Sequence, residues 1–126
     1  VVTNGNSIWF AKPFIEKYQQ LILVESPGNV WKLEQNGFHN SVAIFGSKIS
    51  EGQLILIESL PVREIVLLFD NDAAGETCKQ NSTKLLNRLY NIVCPKIDYH
   101  GMDDISKLDD NDLKEQLKGI ICKESY

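Results

Sequence analysis

No stretch of this 126-residue chain stays apolar long enough to cross a bilayer, so no membrane span is expected. Val1 to Ser7 hold no basic segment followed by an apolar core, and no secretory signal is expected either. Cysteine is scarce. Cys78, Cys94 and Cys122 are widely spaced with no C-x-x-C, and His39 and His100 do not complete a zinc pattern. Three reduced thiols in or near the core, in a cytoplasmic protein, are the expectation. Positive charge is also short: 13 Lys and Arg stand against 17 Asp and Glu, a net charge of -4. Phosphate binding normally calls for a basic patch. Lys79, Lys84 and Arg88 share a candidate helix with Glu76 and read as a solvated face. If nucleic acid binds, metal or another domain must supply the missing positive charge. Repeats and low-complexity tracts are absent.

What is present is an ordinary globular composition, 43% hydrophobic, at a length that fits one domain. Residues 10 to 20 predict a short helix. Leu21 to Val24 is a continuous apolar run that stops at Glu25, the pattern of a strand covered on both faces. Pro27-Gly28-Asn29 reads as a turn, Val30 to Asn36 as a helix, and Gly37 as its end. Ser41 to Phe45 predicts a second strand running into Gly46-Ser47. Ser50 opens a capping box with Gln53, so Ser50 to Leu60 reads as a helix, although Leu54 to Ile57 fits a strand equally by periodicity. Ile65 to Phe69 is a buried strand stopping at Asp70. A long helix follows from Ala73 to about Tyr90, with Ala74, Cys78, Leu85 and Leu89 on one face. Ile92 to Ile97 predicts a fourth strand, shortened or bent by Pro95. Asp109 to Ile121 is a last helix with Leu113, Leu117, Ile120 and Ile121 on one face. Trp9 and Trp31 read as core or interdomain packing. The alternation implies α/β architecture: an open sheet of about four mainly parallel strands with helices on both faces.

In open parallel sheets ligands bind beyond the carboxyl ends of the strands. Glu25, Gly46-Ser47 and Asp70-Asn71-Asp72 all fall at such ends. Clustered carboxylates repel one another and are tolerated with a cation or shared protons. Hard oxygen ligands suit Mg²⁺, which keeps several waters and shares its shell with phosphates. Asp70 and Asp72 are two apart, which in an extended segment points both one way. Gly75 allows close backbone approach behind them. Asp72 reads equally as the N-cap of the next helix, and Glu25 as a solvated strand end.

The order LILVES, ending at Ser26, then IFGS, ending at Ser47, then FDNDAAG, from Phe69 to Gly75, resembles the Toprim fold. That fold is shared by bacterial-type DNA primases, type IA and type II topoisomerases, and some nucleases and recombination proteins. The likeness runs from about Leu21 to Leu108 and is nearest the catalytic core of bacterial and phage primases, whose later Gly-x-Asp is similar to Gly101-Met102-Asp103. It implies residues 21–126 as a Toprim domain with a C-terminal helix, and residues 1–20 as a lead-in remnant of an upstream subdomain. It further implies a nucleotidyl-transfer module for primer synthesis in DNA replication, weak or inactive in isolation. Mg²⁺ or Mn²⁺ would sit on Glu25, Asp70, Asp72 and Asp103, with Glu25, Asp70 and Asp72 catalytic. Glu25 would serve as general base or as a metal-bridging carboxylate. Gly46, Ser47 and Lys48 would touch phosphate. DNA template, nucleoside triphosphates, an upstream template-binding or zinc domain and a replicative helicase are the implied partners. Glu25-Ser26-Pro27 is similar instead to type IA topoisomerases. A Toprim nuclease, or a topoisomerase-related domain binding metal and nucleic acid, is therefore the alternative. Tyr18, Tyr90, Tyr99 and Tyr126 read as structural, and His100 as a polar surface residue.

Overall fold

A computed structural model describes residues 6–46 and 48–121, with side chains from residue 11 onward. The elements run α1 (Asn6–Tyr18), β1 (Gln20–Val24), α2 (Pro27–Gln35), β2 (Ser41–Ala43), α3 (Glu51–Glu58), β3 (Glu64–Leu67), α4 (Ala73–Leu86), β4 (Asn91–Val93) and α5 (Asp110–Leu117), with a 3₁₀ turn at Ile105–Lys107 before α5. The four strands form one sheet in the order β2-β1-β3-β4, and every neighbouring pair is parallel. No helix among the described residues is long and apolar enough to cross a membrane.

The two apolar runs become the two central strands because both of their faces are covered. Leu21 and Leu23 of β1 join Ile65 and Leu67 of β3 in one core, packed by Ala11 and Ile15 of α1, Ile57 of α3, and Cys78 and Leu86 of α4. The alternate residues, Ile22, Val24 and Val66, face a second core with Leu33 of α2, Ile105 of the 3₁₀ turn, and Leu113 and Leu117 of α5. Period-two alternation thus splits each run between two helical layers. The expected architecture is present.

Local chemistry explains most boundaries. α1 starts earlier than expected and ends at Tyr18, where Gln19 turns left-handed at φ 54° and its N–H closes on Ile15 O at 2.7 Å. Ser50 accepts from the Gln53 N–H while the Gln53 side chain takes the Ser50 N–H, so the capping box forms and Leu54 to Ile57 is helix, not strand. The carboxyl end of α2 is a Schellman closure: Phe38 N–H reaches Leu33 O at 3.0 Å and Gly37 N–H reaches Glu34 O at 3.2 Å, with Gly37 at φ 88°.

Four expectations are corrected. Pro27-Gly28-Asn29 is not a turn but the first turn of α2, because a proline at the first helical position forgoes only an N–H that has no helical partner there. The buried face of α4 is Gly75, Cys78, Ser82 and Leu86, whereas Ala74, Leu85 and Leu89 are exposed. Two of its buried positions are not hydrophobic, and this misled an apolar count. Trp31 is 66% exposed on α2, outside the core, which leaves only the interdomain part of its expectation, and the Trp9 side chain lies outside the described residues. Cys78 is buried but Cys94 is exposed, and Cys122 lies outside the described residues with Tyr126.

Candidate functional site

β1 and β3 are neighbours in register, Leu23 opposite Leu67, so the residues after each strand emerge side by side at the carboxyl edge. Glu25 and Asp70 meet there. The Asp70 N–H donates to Glu25 Oε1 at 3.2 Å. The Asp70 carboxylate accepts from Asn29 Nδ2, also at 3.2 Å. Tyr99 donates its hydroxyl to Phe69 O at 2.9 Å and so braces the end of β3. Its own ionisation is pushed up to about 12 by burial and then by the charges of Asp70, Asp104 and Glu25.

Gly75 allows this edge to exist. A Cβ built on it would lie 1.9 Å from Asp70 O, far inside contact distance. The first turn of α4 therefore presses against the Asp70 peptide, and only a residue without a side chain fits. Asp72 caps that helix, accepting from Gly75 N–H at 2.7 Å.

The electrostatics follow from crowding without a partner. Burial raises the Glu25 carboxyl from 4.5 to about 7, with the Asp70 and Asp72 charges adding to the rise and the Asp70 N–H opposing it. Asp70 is raised as well, by burial first, then by Asp104, while Asn29 pulls it back. Both carboxyls are thus raised, by burial first and by neighbouring like charges after it. A cavity of about 160 Å³ opens beside Asp70, lined also by Asn71, Asp72, Gly75, Lys79 and Tyr99 but not by Glu25.

The structure brings Glu25 and Asp70 together, with Asp72 near both and the Asp103 carboxylate turned toward Lys107. Asp72 is engaged with the helix it caps, although its charge is felt at Glu25 and Asp70. The Asp103 carboxylate points to Lys107 Nζ at 3.1 Å and is largely exposed. The Asp103 backbone does reach the site, accepting from Asn71 N–H at 2.7 Å. Among the described residues no three His, Cys, Asp or Glu side chains are gathered closely enough to hold a metal ion alone. Gly46 is exposed and its carbonyl accepts from the Cys78 thiol at 3.7 Å; Lys48 is exposed, and Ser47 lies outside the described residues. His100 lies between two carboxylates, Nε2 at 3.1 Å from Asp112 and Nδ1 at 3.5 Å from Asp98.

Sequence reasoning missed two residues. Asp104 exerts the largest charge effect on Asp70. It was overshadowed by the Gly-x-Asp match one residue earlier, although Asp104 opens the 3₁₀ turn by accepting from Ser106 N–H at 2.9 Å. Asn29 carried no signal once its segment had been read as a turn.

Comparison with known proteins points the same way. The Toprim domain family model matches residues 19–94. The DNA primase of Staphylococcus epidermidis is 29% identical over 111 residues, covering 87% of this chain and 18% of that protein. The Campylobacter jejuni DNA primase is 34% identical over 77 residues, 61% of this chain and 13% of that protein. The chain thus spans less than a fifth of these curated relatives. The crystal structure of the Aquifex aeolicus primase, comprising zinc binding and RNA polymerase domains, superposes with a TM-score of 0.72 at 23% identity over 88% of this chain and 28% of that one. The RNA polymerase domain of Mycobacterium tuberculosis primase DnaG in complex with double-stranded DNA gives a TM-score of 0.64 at 24% identity, over 87% of this chain and 37% of that one. At these identities the solved structures establish the fold.

Proposed function

The chain belongs to the Toprim domain family, and from that premise we propose that its Glu25–Asp70 edge is the metal-binding centre of a DNA primase module. The observation that carries the reading is the meeting of these two carboxyls at the ends of adjacent parallel strands, both raised by burial. A divalent cation would offset the like charge gathered at such a site. The donor set fits Mg²⁺ or Mn²⁺: two hard carboxylates from the protein leave the remaining positions to water and to substrate phosphates, the habit of Mg²⁺ in phosphoryl-transfer sites. Asp72 and Asp104 would add negative field at the rim, with Asp103 a candidate ligand only after leaving Lys107.

When bound, such a metal neutralises phosphate charge and activates an attacking oxygen. The chain's own residues do the rest. Asn29 and the Asp70 N–H fix the two carboxyls relative to each other. Gly75 holds α4 against them. Glu25, with its raised carboxyl, is able to hold or release a proton near neutral pH. Gly46 and Lys48 follow β2 at the same end of the sheet; they are the proposed phosphate contacts together with Ser47, which lies outside the described residues. Lys48 is an exposed cation there.

The reading includes partners. The relatives are primases, one structural neighbour carries a zinc binding domain and another holds DNA. Template, nucleoside triphosphates, a zinc or template-binding domain and a replicative helicase are proposed on that basis. Residues 21–126 would be the Toprim module and residues 1–20 the lead-in to it. A net charge of -4 gives this chain little hold on template by itself, so primer synthesis by it alone should be slight.

Mn²⁺ titration followed by electron paramagnetic resonance, and by paramagnetic broadening in NMR spectra, tests the centre. Broadened amides should cluster around residues 25–29 and 70–75, and Asp70→Asn should weaken Mn²⁺ by at least about tenfold. Broadening centred elsewhere, or unchanged affinity in Asp70→Asn, overturns the reading. Metal-dependent DNA cleavage without primer synthesis in the presence of a template-binding partner would shift it to a nuclease.

A further inference from the structure

Asn29 is among the most buried polar residues of the chain, 1% exposed, in the first turn of α2. One end of its side-chain amide donates to Asp70 Oδ1 across 41 residues of sequence. The other end, Oδ1, has no partner at all. Leaving a buried amide oxygen unpaired is unfavourable, and an apolar residue of similar size would avoid it. Packing therefore does not explain an amide here. Toward an ionised Asp70 the amide nitrogen is the end that must face the carboxylate, since the oxygen would set acceptor against acceptor.

Glu25 and Asn29 belong to one short segment, the end of β1 and the start of α2. That segment grips Asp70 twice. Glu25 accepts from its backbone N–H, and Asn29 donates to its carboxylate. We propose that Asn29 is a positioning residue for the acid pair, whose buried amide fixes the rotation of the Asp70 carboxylate so that its free lone pairs are presented to a cation together with Glu25. This rests on the metal-centre reading above. Asn29 does not ligate the cation in this arrangement; its oxygen is enclosed and its nitrogen is a donor.

The test is Asn29→Leu, which keeps the branching and the number of side-chain heavy atoms of Asn but cannot donate, measured beside wild type and Asp70→Asn. The expected result is a folded variant, melting within about 5 °C of wild type, with Mn²⁺ affinity reduced about tenfold, the scale of one hydrogen bond to a charged group. A merely structural role would lower melting temperature and leave the affinity of the folded protein alone. A second readout needs no variant. The Asn29 side-chain amide resonance of the wild-type chain should shift on titration with diamagnetic Mg²⁺, because the carboxylate it holds becomes a ligand. Wild-type-like Mn²⁺ affinity in Asn29→Leu, with binding lost in Asp70→Asn, overturns the role of Asn29 and leaves the metal centre standing. So does an Asn29 amide that is silent to Mg²⁺ while residues around Asp70 respond. Unchanged binding in Asp70→Asn removes the centre itself.

Discussion

The two ends of the sheet are both polar, and they are built on opposite principles. At the amino end Gln20 opens β1, Glu64 opens β3 and Asn91 opens β4, in register. Gln20 Nε2 donates to Glu64 Oε1 at 2.7 Å and to Ile120 O at 3.0 Å, while Asn40 Nδ2 donates to Gln20 O and Oε1. The carboxylate there receives amides, with Asn91 Nδ2 also within 3.4 Å, although Asn40 Oδ1 and Ser41 Oγ are buried without a partner. At the carboxyl end two carboxyls face each other, further acids stand around them, and Asn29 is the side-chain donor to Asp70. Polarity alone does not mark a functional edge. Like charges gathered and partly buried at one edge do, because a fold has no structural reason to bring them together.

The contrast is broken most severely at Gly75. Gly75→Ala should destabilise the domain by roughly 3 kcal/mol, since the new methyl meets Asp70 O. Chemical denaturation would show it, and Mn²⁺ binding should fall as Asp70 is displaced. A variant as stable as wild type would mean that α4 can slide away at little expense. Next comes the amino end. Gln20→Ala removes a 4% exposed residue with several hydrogen bonds and should destabilise by about 2 kcal/mol. Mn²⁺ affinity should stay within about twofold, as for an independent site. A large loss of affinity would show the two ends to be coupled.

The smallest effect is the most diagnostic. The folded Glu25 carboxyl binds its proton more tightly than the unfolded one, so its contribution is full below pH 4.5 and is lost as pH rises through about 7. Metal-free wild type should lose stability across that window relative to Glu25→Gln. Solvent screening leaves on the order of 1 kcal/mol for this difference. Saturating Mg²⁺ should reverse the slope, because metal takes the deprotonated pair. Parallel pH profiles for the two proteins would show that Glu25 is not under tension.

What was legible in the sequence follows from how locally each feature is specified. β1 and β3 were readable because burial on both faces leaves a run of nothing but apolar residues. The Ser50 box and the Asp72 cap were readable because each is complete within four residues. Gly75 was readable as a close approach beside D-x-D, and it meets the Asp70 backbone. The face of α4 was misplaced by about one position, because Gly75 and Ser82 occupy buried sites that hydrophobic periodicity cannot see. Asn29 was missed because its partner lies 41 residues away, a relation that exists only after β1 and β3 pair. The sequence also drew the eye to Asp103, whereas Asp104 exerts the larger field on Asp70. Neighbours in sequence turn their carboxylates to different partners, and spacing does not say which way.

The strand order has a kinetic consequence. β1 and β3 are adjacent in space, yet a helix, an edge strand and a second helix lie between them in the chain. Their pairing is a contact between distant parts of the polymer, of the kind that closes slowly because a long excursion must first be confined. Glu25 and Asp70 are 45 residues apart and meet only when that excursion is closed in register. In the unfolded chain they are two ordinary, separately hydrated acids. Folding itself creates the tension between them, in the same event that joins the centre of the sheet, so a probe of the acid pair is also a clock for the formation of the topology.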